Sequence, residues 1–99
     1  MLERIFFERI KKMIEERIDE LIETYNNKID VCKRKKESYK ASYKYCLDKD
    51  VNGNANVFAE RYARCITHCN QKIAMYESFI ESLEYAKAGE RKVEGIKNA

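Results

Sequence analysis

Between Ala59 and Leu83 the residues Ala59, Tyr62, Ile66, Cys69, Ile73, Tyr76, Ile80 and Leu83 recur at steps of 3, 4, 3, 4, 3, 4 and 3. That is the a/d pattern of a heptad repeat, held for more than three heptads. It confines the stretch to an α-helix with a narrow apolar seam, and such a seam needs a neighbouring helix. Phe58, Cys65, Phe79 and Ala86 flank it.

The first half supplies the neighbour. Phe7, Ile10, Ile14, Ile18, Leu21, Tyr25, Ile29 and Cys32 step 3, 4, 4, 3, 4, 4, 3, a nearly straight stripe on an α-helix. Leu2, Ile5, Phe6, Met13 and Ile22 widen the stripe. It lapses from Lys33 to Ser38 and resumes at Tyr39, Tyr43, Cys46 and Leu47. Proline is absent, glycine occurs three times and 37% of the chain is charged, a balance that favours helix. Apolar and polar residues nowhere alternate as a strand requires.

The expectation is therefore an all-α single domain spanning residues 1–99. One helix runs over about 2–47, a loop over 48–56 and a second helix over about 57–88, with a frayed end at 89–99. Asn52-Gly53 is a strong turn dipeptide, and Asn54 or Asn56 can cap the second helix. The alternative is three helices, the first broken near 33–38. A long antiparallel hairpin leaves half of each stripe in water, and a chain this short buries only roughly 60–65% of its unfolded surface. Two hairpins closing as a four-helix bundle would cover the rest, so a homodimer is expected.

The four cysteines test that geometry. Facing residues of an antiparallel hairpin keep a nearly constant sum of sequence positions, about 103 here. Cys32 with Cys69 and Cys46 with Cys65 fit this sum better than the crossed pairs, so they are the preferred disulfides. Yet Cys32 and Cys46 stand 14 residues apart, about 21 Å along a helix, while Cys65 and Cys69 stand four apart, about 6 Å. Disulfide Cα atoms lie within about 7 Å, so straight arms cannot close both bonds. Either the first helix bends in 33–38, or only one bond forms, or all four thiols stay free and pack as small hydrophobes.

Charge is unevenly placed. Net charge is +3, and residues 28–50 alone carry eight cations against four anions. Lys33, Lys36, Lys40 and Lys44 fall within about 80° on a helix, with Arg34 beside them, making a ridge next to Tyr39 and Tyr43. A solvated helix face explains such a ridge, and sequence-independent nucleic-acid binding is its functional alternative.

Asp48-Lys49-Asp50-Val51-Asn52-Gly53 resembles the start of an EF-hand loop, with Asp48, Asp50, Asn52 and Asn54 as oxygen donors. The match fails at the twelfth position, which is Ala59 where a bidentate Glu belongs. Cys65, His68 and Cys69, with Cys32 or Cys46, form a second candidate metal set, at spacings unlike those of recognised zinc sites. One histidine, with no phosphate loop and no triad, points away from catalysis and from any cofactor. The expected function is that of a small non-enzymatic interaction or structural protein.

No apolar run exceeds four residues, too short for a signal peptide or a membrane span, so an intracellular protein without membrane association is expected. In length, in its Lys, Glu, Ile and Tyr content, and in carrying Cys32, Cys46, Cys65 and Cys69, the chain resembles the small orphan proteins encoded by viruses of hyperthermophilic archaea. Those proteins can hold disulfides inside the cell. The heat-labile Asn26-Asn27 and Asn52-Gly53 depart from that pattern. The resemblance implies an origin, with the host cytoplasm as location, and carries over no functional residue.

Overall fold

A computed structural model describes the backbone of residues 2–49 and 55–97 and the side chains of residues 2–49 and 57–89. It holds two α-helices, α1 (Leu2–Asp48) and α2 (Ala55–Lys97), and no strand among the described residues. Lys49 continues the last turn of α1, its amide donating to the Tyr45 carbonyl at 3.0 Å.

The break that the three-helix alternative placed in 33–38 is absent: α1 runs through it without interruption. Lys33, Arg34, Lys35, Lys36 and Glu37 are straight-chain residues that favour helix, and no glycine or proline stands among them. The lapse in the apolar stripe is thus a gap in packing and leaves the backbone bonds intact. Lys36 occupies the seam position within the gap and is half-buried, its aliphatic stem serving where an apolar side chain is missing. At the other end α2 continues past the expected limit near 88. Gly89 lies within it, and a methyl group added there would meet nothing within 4 Å.

The helices pack antiparallel in the register that position sums anticipate. Tyr25 stacks on Tyr76 with ring centroids 5.8 Å apart, and Tyr39 meets Tyr62 at 6.3 Å; both pairs sum to 101. Tyr25 also meets Phe79 at 5.4 Å, and Lys87 donates to Asp19 at 2.7 Å.

The molecule measures 78 × 21 × 13 Å, a ribbon one helix thick. Domains ordinarily enclose a core between two layers; this one has only a seam. Among the described residues only Ile29, Cys32, Ala59 and Cys69 are buried, and none of these is fully so. Three of the four are small, which lets the helix axes approach closely. No helix among the described residues is long and apolar enough to cross a membrane.

Candidate functional site: a basic groove along the seam

At 100° per residue, α1 turns Lys28 and Lys35 to one side of the seam. The same arithmetic on α2 turns Arg61, Arg64, His68 and Lys72 to that side, because antiparallel neighbours mirror each other across their contact. The structure brings these flanks together. A groove of about 400 Å³ is lined by Lys35, Tyr39, Arg61, Arg64, His68 and Lys72, with Cys32, Cys65 and Cys69 along it. A second groove of about 400 Å³ includes Lys28, Val31 and Tyr76 and shares Cys32, Lys35 and Lys72 with the first. The two form one continuous channel.

Five cations line this channel, and no carboxylate does. Lys28 lies over the Tyr76 ring, 5.9 Å from its centroid. Arg64 donates to Glu60 at 2.7 Å, but both side chains are mostly exposed, so the pair is weak and exchangeable. Among the described residues Lys35, Arg61 and Lys72 have no carboxylate within ion-pair distance. Clustered like charge in a concave surface focuses the local potential and attracts anions.

The opposite side of the ribbon is electrically mixed. Lys33, Lys40 and Lys44, which the sequence singled out, lie about 140° or more around α1 from Lys35, on that other side. Lys40 bonds to Glu37 at 3.4 Å there, and Lys87 pairs with Asp19. Arg34 points away from the seam by its helical phase, and Lys36 occupies the seam. None of the five ridge residues lines the channel. The signal for the channel residues was present as the 3, 4, 4 spacing of Arg61, Arg64, His68 and Lys72 and the 7-residue spacing of Lys28 and Lys35. Joining the two needed the register between the helices.

The expected disulfides are corrected. Cys32, Cys46, Cys65 and Cys69 are all free thiols, and no two lie at disulfide distance. Continuity of α1 excludes closing both bonds, since it keeps Cys32 and Cys46 far apart while Cys65 and Cys69 sit one turn apart. Cys32 and Cys69 are buried as seam residues, and Cys46 and Cys65 are half-buried.

No group of three or more His, Cys, Asp or Glu side chains is placed to hold a metal ion among the described residues, which removes the Cys65, His68, Cys69 set. Of the calcium-loop candidates, Asp48 is the last residue of α1 and is exposed, while Asp50, Asn52 and Asn54 lie outside the described residues. No hydrogen bond joins His68 to a cysteine among the described residues. No family model matches the chain, and no curated protein or solved structure does either.

Proposed function

We propose that the chain is a non-enzymatic helical interaction protein that works as a homodimer, in a reducing compartment where its four thiols stay free. One observation carries this. At the end of the hairpin away from the loop, Leu2 is 85%, Phe6 66% and Met13 67% exposed.

These three residues lie about 100–140° around α1 from the centre of its seam, so α2 cannot reach them. Phe79 of α2, also exposed, lies on the same side of the ribbon by the same reckoning. Covering a side chain of this size is worth about 1.5–3 kcal/mol. A second hairpin overlapping that end alone, on that side, would give it the second layer a lone ribbon lacks. A second copy fits because it offers an identical apolar face, and a closed two-fold pair is the commonest assembly.

Multi-angle light scattering tests the reading. A mass of twice the 11.8 kDa chain is expected, falling to one chain mass in the Phe6→Ser/Met13→Ser variant with helix content retained. A wild-type chain that stays monomeric at every concentration would refute the dimer.

A further inference from the structure

We propose that the channel between α1 and α2 binds the phosphate backbone of single-stranded nucleic acid without regard to base sequence. The argument begins with spacing. In the observed register Lys72 lies at a level between Lys28 and Lys35, and Arg64 and Arg61 follow beyond Lys35. The order along the ribbon is Lys28, Lys72, Lys35, Arg64, Arg61, passing between the two walls. The levels span about twelve residues, roughly 18 Å, so on average a cation recurs about every 4.5 Å. That repeat is of the order of the spacing between phosphates along one strand. Cations meant for a single phosphate or carboxylate would converge on a point; these are strung along a line.

Shape and surroundings agree. The channel is a trough between two adjacent helices on a ribbon only 21 Å wide. One extended strand can lie along it and touch both walls. A duplex carries its two phosphate rows on the outside of a wide cylinder and would reach one wall at a time. Tyr39 and Tyr76 line the channel, and aromatic rings beside a basic track are what single-strand binders use to hold bases of any identity. The apolar residues assigned to dimer contacts, Leu2, Phe6, Met13 and Phe79, are on the same side but farther along the hairpin, beyond the level of Thr24 where the channel ends. The inference does not depend on the dimer.

The magnitudes follow from counterion release. Five phosphate contacts on a single strand give a slope of log K against log salt near −3.5, or about a 100-fold loss of affinity between 50 and 200 mM salt. The test is fluorescence anisotropy with labelled single-stranded dT12 on the full chain, measured across that range. Lys35→Ala/Lys72→Ala is expected to flatten the slope by about 1.4 and weaken binding at every salt concentration. Lys33→Ala/Lys40→Ala removes the same charge from the other side of the ribbon and is expected to leave the slope unchanged. Each substitution replaces an exposed lysine with a strong helix former, so both variants retain the fold, which circular dichroism checks.

A blunt 12-base-pair duplex is expected to bind more weakly than dT12. Failure of dT12 to bind at 50 mM salt overturns the proposal. So does an equal loss in the two lysine variants, a duplex that binds as tightly as dT12, or binding to phosphatidylserine vesicles in place of dT12.

Discussion

The middle of the hairpin and its loop-distal end are built from the same repeat and end in different states. Around Ile29, Cys32 and Cys69 the apolar residues keep to one narrow stripe, and the partner helix buries them. Between Leu2 and Ile14 the stripe broadens: Leu2, Ile5, Phe6, Phe7, Ile10, Met13 and Ile14 are all exposed. A helix can cover about one face of its neighbour. Where apolar residues spread beyond that face, a two-helix protein leaves them uncovered however regular the pattern. The middle, being narrow, has room for cations at the edges of its seam, and the channel occupies that room.

The sharpest way to break this contrast is to place one charge in each region. Ile29→Asp puts an unpaired carboxylate on the seam and is expected to cost about 3–5 kcal/mol, removing most of the far-ultraviolet helix signal. Phe6→Asp adds the same charge at the distal end and is expected to change the monomer by no more than about 0.5 kcal/mol. Equal losses in the two variants would mean that the distal end is as well packed as the middle. A smaller effect lies at the boundary, where Tyr25 meets Tyr76 and Phe79. Tyr25→Leu is expected to cost about 1 kcal/mol, seen as a melting temperature roughly 4–8 °C lower.

The smallest effect belongs to the distal ion pair. Lys87 is 25% and Asp19 57% exposed, so Lys87→Gln is expected to cost under about 0.5 kcal/mol. That cost should disappear in 1 M salt, which melting curves at low and high salt would show.

Much of this fold was legible in the residues. The 3, 4 stepping of Ala59 to Leu83 defined α2, and position sums gave the register that Tyr25 and Tyr76 follow. The three-helix alternative at Lys33 to Ser38 treated a pause in apolar residues as a pause in the helix, and the uninterrupted helix is what forms. Backbone bonding there depends on helix-forming side chains, which lysine and glutamate provide as well as leucine does. The channel was the least legible part. Lys28 and Lys72 stand 44 positions apart, and only tertiary packing makes them neighbours. The ridge of Lys33, Lys36, Lys40 and Lys44 drew notice because its members are close in sequence, yet Lys40 is bonded to Glu37 and none of the four lines the channel.

The ribbon shape also decides how the molecule moves through water. Its radius of gyration is 22.2 Å, against about 13 Å for a globular protein of this length. On the same scaling 22.2 Å belongs to a sphere-like protein of roughly 400 residues. A single chain will therefore show the drag of a much larger particle, eluting early from a sizing column and tumbling slowly end over end. Elution volume would make even a monomer look like an oligomer. A direct measure of mass reads the assembly state without that error, and the excess drag itself reports that the hairpin is extended.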